Sequence, residues 1–316
     1  MMDLYNSHKR KNMASSETLW SLATFAQGGQ AVAALEVNGV AYRLAPSLAR
    51  VGLAGQDSVA GLFANWARAL AALNAAAAQV QASDQITPSQ RLAPLLYPGK
   101  ILCAGANYFD HLAEMGMPGA KKEDQRLFFF MKPPRNAVVG EGDTVHMPIN
   151  TQAFDWEVEL ALVIGKTARN VSVEQALSHV AAYTVAIDFS ARDHNRAPET
   201  FYKLDWVAGK GHDTCCPMGP RLIPAHQFGD PQQAALKLAV NGALKQNGSA
   251  KDMIFSVAEQ ISTASRIMTL DPGDVLLTGT PAGVGVPHKT FLSVGDRVDA
   301  DIEGIGRLSV GIGPSR

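Results

Sequence analysis

The stretch from Phe154 to Gly165 constrains this chain most, because it is apolar enough for a buried strand and yet carries Glu157 and Glu159. Successive side chains of a strand point to opposite faces, so these two carboxylates share one face about 7 Å apart along the chain. Two like charges on one buried face are unfavourable unless a positive group lies between them. Asp188 ends a second apolar, strand-like run. The pattern therefore predicts three carboxylates, on rigid strands, around a cation.

Glu157, Glu159 and Asp188 are the predicted ligands of one divalent cation. Carboxylate oxygens suit hard ions, which favours Mg²⁺ or Mn²⁺ and also permits Ca²⁺. The alternative is an ordinary edge strand whose Glu-x-Glu face is solvated. Neighbouring motifs favour the cation.

His111 and Glu114 are spaced three residues apart after a strand-like run that starts at Lys100. This spacing places both on one face of a helical turn, where the carboxylate orients the imidazole and raises its basicity. Such a pair can activate a water molecule, although on a surface helix it would be a simple ion pair. Lys210 lies between two glycines, which lets its backbone approach a ligand and its ammonium bind a substrate oxyanion.

The turn from Thr278 to Gly285 is rich in glycine but lacks the Walker spacing and the terminal Lys-Ser/Thr, so it does not predict a phosphate loop. A glycine-rich turn after a strand can still present backbone N–H groups to a carboxylate. Cys215 and Cys216 are interpreted as packing residues, because no base or orienting group can be assigned to them.

Taken in order, four segments resemble the fumarylacetoacetate hydrolase family: 105–114, 154–165, 210–220 and 278–285. The resemblance implies an α+β, mostly β fold, a mixed β-sandwich roll with short helices, and a homodimer. It also implies a role for each site residue: metal ligands Glu157, Glu159 and Asp188, catalytic residues His111, Glu114 and Lys210, and substrate contacts Tyr108, Gly279 and Thr280. His212 stands where many relatives have an aromatic residue, so the local packing is expected to differ.

The 316 residues are predicted to form a tail and two domains. Residues 1–16 are polar and basic, without the apolar core of a secretory signal, and are interpreted as a disordered tail. Residues 17–97 predict a small N-terminal α/β domain, and prolines near residues 88–98 mark its boundary with a catalytic domain over 98–316.

Local patterns predict several elements. Asn-Gly pairs at 38–39 and 241–242 indicate hairpins. Apolar spacing predicts a helix over 59–80 and another over 253–268, with Asp252 and Ser249 as N-cap candidates. The polar stretch over 112–126, interrupted by Gly and Pro, is expected to form a mobile lid.

Charge and composition exclude several classes of function. Lys and Arg total 28 against 29 Asp and Glu, so there is no electrostatic footprint for nucleic acid or an acidic membrane surface. No apolar run approaches the roughly 18 residues of a membrane span. Three cysteines without a metal or disulfide spacing fit a reducing cytoplasm.

These observations and the resemblance predict a metal-dependent hydrolase that cleaves a C–C bond in a small 2,4-dioxo acid. The paired His111 and Glu114 favour hydrolysis, because isomerisation needs no activated water. The alternative within the same chemistry is an isomerase or decarboxylase of hydroxymuconate-type or other 2-oxo acids. A protein that binds a metal or a carboxylate without catalysis is the alternative from another class.

Overall fold

The protein is described by a computed structural model over residues 18–87 and 90–316, so the predicted tail at 1–16 lies outside the described residues. Its strands are β1 (Trp20–Gln27), β2 (Gln30–Val37), β3 (Val40–Arg43), β4 (Arg91–Leu92), β5 (Ile101–Gly105), β6 (Phe128–Lys132), β7 (Val138–Val139), β8 (Thr144–His146), β9 (Phe154–Asp155), β10 (Val158–Ile164), β11 (Val180–Ile187), β12 (Ser190–Ala191), β13 (Cys216–Pro224), β14 (Ala235–Val240), β15 (Ala243–Ser249), β16 (Val275–Leu277), β17 (Arg297–Ile302) and β18 (Gly306–Gly313). Its helices are α1 (Leu44–Arg50), α2 (Val59–Leu62), α3 (Trp66–Ala77), α4 (Phe109–Glu114), α5 (Val173–Ala176), α6 (Arg192–Asn195), α7 (Trp206–Lys210), α8 (Ala225–Phe228) and α9 (Val257–Ile267).

Two large sheets form the frame. The larger runs in the order β3-β2-β1-β13-β11-β10-β16-β5-β6, with β4 against β1 and β7 against β13. The smaller runs β15-β14-β17-β18-β8. Most pairs are antiparallel, while β5 with β16, β7 with β13 and β8 with β18 are parallel. This mixed, mostly β arrangement with short helices confirms the predicted fold class.

Strand β10 is buried on both faces, because its successive side chains point alternately into two different cores. Val158, Leu160 and Leu162 contribute to a core shared with β14, β17 and β18 of the smaller sheet. Ala161 and Val163 point the other way, into a core shared with α2, α3 and the N-terminal strands. The strand therefore separates two cores.

The N-terminal strands extend the larger sheet rather than forming a separate one. Strand β1 pairs with β13 at Leu22 and Leu222, and α3 packs into the same core as β10. The division at residue 97 between two domains stays a prediction, since hydrogen bonds of one sheet run across it.

The hairpin predictions are confirmed at both Asn-Gly pairs. Asn38 and Gly39 have φ of 50° and 81°, and Asn241 and Gly242 have 52° and 80°. A two-residue turn between twisted strands favours positive φ at both positions, which Asn and Gly adopt at low cost. They join β2 to β3 and β14 to β15.

The helix predictions need correction at their ends. The helix expected over 59–80 breaks into α2, a 3₁₀ turn and α3, because Asn65 accepts a hydrogen bond from Arg68 N at 3.1 Å and so begins a new helix. Helix α9 starts at Val257, and neither predicted cap begins it. Its N-cap is Ser256, which forms a capping box with Glu259.

Helix α1 follows β3 directly. Within the described ranges, no helix is both long and apolar enough to span a membrane.

Candidate active site

Strands β10 and β11 bring the three predicted metal ligands together. Val158 lies opposite Ile187, and the N–H of Asp188 donates to the carbonyl of Glu157 at 2.8 Å. One carboxylate oxygen from each of Glu157, Glu159 and Asp188 lies within 4.8 Å of the others, and all three side chains are buried. The site is therefore built on the ends of paired core strands, which hold it rigidly.

Three cations pair with two members of this cluster, Glu157 and Asp188. The Lys210 ammonium lies 2.6 Å from Glu157 Oε2 and 2.8 Å from Asp188 Oδ2. Lys132 Nζ is 2.6 Å from Asp188 Oδ1, and an Arg192 nitrogen is 2.5 Å from Glu157 Oε1. Buried charges persist only when paired in this way.

The two glutamates titrate in opposite directions. Burial acts to raise the pKa of the Glu157 carboxyl, but Arg192 and Lys210 outweigh it and lower that pKa below its usual range. Burial also raises the pKa of Glu159, and the neighbouring charges of Asp188 and Glu157 raise it further. Glu159 is thus the ligand least compensated by protein cations, and a bound divalent ion would supply the missing positive charge.

Helix α7 delivers Lys210. Asp205 begins the helix by accepting a hydrogen bond from Ala208 N at 2.9 Å. A Cβ at position 209 would lie 2.5 Å from Asn195 Cβ, so only glycine lets α7 approach α6 this closely. The glycine that the sequence analysis linked to close approach therefore serves helix packing beside the site.

His111 and Glu114 form the expected pair on α4. His111 Nδ1 lies 2.7 Å from Glu114 Oε1, and Glu114 Oε2 accepts a hydrogen bond from Gly283 N at 2.8 Å. The second contact ties the dyad to the glycine-rich turn 169 residues later in the chain. Because Nδ1 is occupied, Nε2 is the ring nitrogen available to a ligand.

The glycine-rich turn also supports the carboxylates. Gly279 has φ of 93°, and its N–H donates to Glu159 Oε2 at 2.5 Å. Thr280 Oγ donates to Val158 O and accepts from Gln246 Nε2, both at 2.8 Å. The predicted N–H donor of Gly279 therefore points at a protein carboxylate.

One cavity of about 280 Å³ joins most of these groups. His111, Glu157, Glu159, Lys210 and Thr280 line it, and its outer wall is formed by Met115, Met117, Phe128, Leu204 and Trp206. Tyr108 and Gly279 do not line it, and the Tyr108 ring is fully buried in the core. The proposed substrate contacts of these two residues stay predictions.

Sequence reasoning missed Lys132, Arg192 and Asp155. Asp155 Oδ2 pairs with Arg192 Nε at 2.9 Å, while its Oδ1 accepts from Gly285 N at 2.7 Å. A signal existed for Lys132, which ends the apolar strand β6 and so places a charge where the pattern indicates core. Arg192 gave no comparable local signal.

The cysteines behave as packing groups. Cys215 and Cys216 are buried, and burial raises the pKa of each thiol to about 12. Neither thiol is a thiolate at neutral pH, which fits the packing interpretation.

The donor set fits a hard divalent cation. Three buried carboxylates each offer one oxygen, and carboxylate oxygen is the ligand that Mg²⁺, Mn²⁺ and Ca²⁺ share. The cavity reaches two of these carboxylates, so a ligand there could meet the ion.

Comparison with known proteins agrees with this geometry. The family model described as "Fumarylacetoacetate (FAA) hydrolase C-terminal" matches residues 100–312. An oxaloacetate tautomerase of Xenopus laevis is 41% identical over 220 residues, which cover 69% of this chain and 66% of that protein. This chain thus spans slightly less than two thirds of that relative.

Bacterial relatives carry two different activities in their names. Oxaloacetate tautomerase YisK of Bacillus subtilis is 44% identical, over 70% of this chain and 72% of that protein. A 2,4-didehydro-3-deoxy-L-rhamnonate hydrolase of a Sphingomonas strain is 43% identical, over 66% and 71%.

Solved structures share the architecture. A fumarylacetoacetate hydrolase from Exiguobacterium antarcticum superimposes with a TM-score of 0.75 at 33% identity, covering 94% of this chain and all of that one. Fumarylpyruvate hydrolase of Pseudomonas aeruginosa, solved with Mn²⁺ and pyruvate, gives 0.63 at 36% identity, covering 72% and 93%.

Proposed function

This chain belongs to the fumarylacetoacetate hydrolase family, and from that premise we propose that it is a metal-dependent enzyme that hydrolyses a C–C bond in a small 2,4-dioxo acid. The observation that carries the proposal is the His111–Glu114 pair, which Gly283 N anchors and whose His111 lines the same cavity as Glu157 and Glu159. A base beside a cation site is the arrangement that hydrolysis of such acids needs.

Glu157, Glu159 and Asp188 would hold the divalent cation. A bound ion of this kind withdraws electrons from the 2-oxo group of the substrate and so stabilises an enolate. The solved Pseudomonas aeruginosa relative contains Mn²⁺ with pyruvate, which supports Mn²⁺ or Mg²⁺ and a 2-oxo acid ligand here.

His111 is proposed as the general base. Its Nε2 takes a proton from a water molecule, and the water oxygen attacks the distal carbonyl carbon, C4, of the substrate. Glu114 stabilises the resulting imidazolium through the 2.7 Å contact at Nδ1. Gly283 N holds Glu114 in place throughout.

Lys210 is proposed to bind the oxygen on which charge develops. An ammonium has three N–H donors, and two of them point at Glu157 and Asp188. The third is left for the substrate. When the C3–C4 bond breaks, its electrons form the enolate of a 2-oxo acid and C4 leaves as a carboxylic acid. The proton on His111 returns to C3 and completes the hydrolysis.

Tautomerisation of oxaloacetate is the second candidate. Its support is the naming of two relatives at 41% and 44% identity as oxaloacetate tautomerases. Such a reaction uses the same enolate and the same Lys210, but it requires proton transfer alone and no attacking water.

The deciding experiment supplies the protein with Mg²⁺ or Mn²⁺ and a panel of acylpyruvates, oxaloacetate and hydroxymuconate-type acids. Loss of enol absorbance reports turnover, and product identification separates the reactions. Two carboxylic acid products support the hydrolase, and keto–enol exchange without cleavage supports the tautomerase. An absence of turnover on every acid would support a binding protein, and addition of a chelator is the matched control.

The assembly and location are proposals as well. We propose a homodimer, from the family resemblance, and a cytoplasmic protein with a small-molecule oxo acid as its partner, from three free buried cysteines. Light scattering after size exclusion gives the mass of the assembly, and cell fractionation gives the location.

A further inference from the structure

Each of the three carboxylates has one oxygen held by a donor that lies behind it. Asp188 Oδ1 contacts Lys132 Nζ at 2.6 Å, Glu157 Oε1 contacts Arg192 at 2.5 Å, and Glu159 Oε2 accepts from Gly279 N at 2.5 Å. The second oxygen of each side chain is the one that can face a cation, and a bound ion would share Glu157 Oε2 and Asp188 Oδ2 with the Lys210 ammonium, which lies 2.6 and 2.8 Å from them.

We propose that these donors, Lys132 above all, set the metal selectivity of the site by limiting each carboxylate to one coordinating oxygen. Ca²⁺ takes six to eight oxygen ligands and accepts both oxygens of a carboxylate, whereas Mg²⁺ demands six ligands in near-octahedral geometry. Three single oxygens leave room for a chelating 2-oxo acid and a water around a six-coordinate ion. The arrangement favours Mg²⁺ or Mn²⁺ over Ca²⁺.

Lys132 is the donor with the least freedom to move. Its side chain is 0% exposed. It forms an ion pair with Asp188 Oδ1, and it donates hydrogen bonds to Phe189 O at 3.0 Å and to Lys210 O at 2.6 Å. Two hydrogen bonds to backbone carbonyls and one ion pair therefore hold the ammonium against Asp188 Oδ1.

Lys132 is thus a positioning residue, since it does not line the cavity. It fixes which oxygen of Asp188 faces inward. Through its hydrogen bond to the Lys210 carbonyl it also fixes the backbone position from which the Lys210 side chain extends. Outer partners of metal ligands typically contribute 10- to 100-fold to metal affinity.

The inference rests on the proposed metal site, and the test separates the two. Titration calorimetry measures Kd for Mg²⁺, Mn²⁺ and Ca²⁺ with the parent, with Lys132→Met and with Lys100→Met. Lys100 is the matched control, because it also pairs with a buried aspartate, Asp274 at 2.6 Å, and neither residue lines the cavity.

In Lys132→Met, Asp188 Oδ1 is freed to coordinate. We expect the ratio of Ca²⁺ to Mg²⁺ affinity to rise about tenfold or more, because the freed second oxygen of Asp188 suits Ca²⁺ and disturbs the geometry that Mg²⁺ and Mn²⁺ demand. Removing a cation changes the electrostatic attraction equally for all divalent ions, so the ratio isolates the geometry. Lys100→Met is expected to leave all three Kd values within about twofold of the parent.

An equal change in the affinities of all three ions in Lys132→Met, in either direction, or no change, would overturn the selectivity role while leaving the metal site in place. A parent protein that binds none of the ions would overturn the site itself. If Lys132→Met does not fold, Arg192→Met frees Glu157 Oε1 instead, and the same rise in the ratio is expected. An unchanged ratio there would count against the proposal in the same way.

Discussion

The cation site and the segment that carries the dyad are built in opposite ways. Around Asp188, the described residues form ion pairs that are almost completely buried, on strands shared by two cores. The rim segment, residues 109–126, has α4, a 3₁₀ turn and exposed apolar side chains: Met115 is 43% exposed and Met117 is 50% exposed. An ion pair of 2.6 Å joins Lys122 of the rim segment to Glu259 near the start of α9. Lys122 Nζ also lies 5.3 Å from the centre of the Phe255 ring.

The difference indicates that cation binding and water activation make different structural demands. A cation demands fixed oxygens, and buried pairs fix them at the cost of immobility. The residues that follow the dyad must admit substrate and then exclude water, and the few contacts of their exposed side chains leave them free to move. Binding of the ion and activation of water should therefore be separable by mutation.

The largest effect is expected for His111→Ala. Loss of the general base should reduce C–C cleavage by about 10²- to 10⁴-fold, while metal affinity stays near that of the parent, because His111 belongs to the rim segment. Steady-state kinetics and metal titration measure the two effects. Cleavage at the parent rate would show that the dyad is not the base, and the tautomerase proposal would then take precedence.

Glu159→Gln tests the cation site. The amide keeps the shape and the acceptor for Gly279 N but removes one ligand charge from a buried cluster. Removing one partner of a buried charge pair costs about 3–5 kcal/mol, which corresponds to roughly 150- to 5,000-fold in affinity. Calorimetry with Mg²⁺ or Mn²⁺ measures the change, and undiminished binding would exclude Glu159 as a ligand.

Lys210→Met tests the group that serves both regions. Loss of a donor to a developing oxyanion typically lowers turnover by about 10²- to 10³-fold. Hydrolysis and tautomerisation should fall together, since both pass through the enolate. A variant that loses only one of the two activities would contradict the shared role, and the same panel of acids used for the parent reveals it.

The smallest effect is expected at the tether of the rim segment. Exposed ion pairs contribute about 0.2–1 kcal/mol, so Lys122→Ala should speed thermolysin cleavage within the segment by roughly 1.5- to 5-fold. Lys121→Ala is the control, because Lys121 has no ion pair among the described residues. Metal with oxalate, which resembles a planar enolate, should slow cleavage of the parent by closing the segment, and unchanged cleavage would argue against a lid.

Much of the fold and part of the site could be predicted from local sequence. Period-two alternation predicted one strand over 154–165 with Glu157 and Glu159 on one face. The structure interrupts that strand at 156–157, between β9 and β10, yet the two carboxylates still meet in one cluster while Trp156 and Val158 lie in a core. The three-residue spacing brought His111 and Glu114 into contact. The Asn-Gly turns followed from φ preferences that each residue carries by itself.

Helix ends were less predictable, because capping depends on a competition between nearby candidates. Ser249 and Ser256 are both good caps on composition. Ser249 caps a 3₁₀ turn, and Ser256 begins α9, since only Ser256 has a glutamate three residues later. A fuller weighing of the capping box would have found it.

The sequence by itself determined which residue types and spacings could form strands, hairpins and a dyad, because those depend on neighbours along the chain. Only the tertiary structure decided which charges meet. Lys132 reaches Asp188 from 56 residues away in the chain and the carbonyl of Lys210 from 78 residues away, while Gly283 reaches Glu114 across 169 residues. Such contacts form when strands distant in sequence pair and pack, which closes long loops of the chain. The local sequence around one partner therefore does not predict the identity of the other.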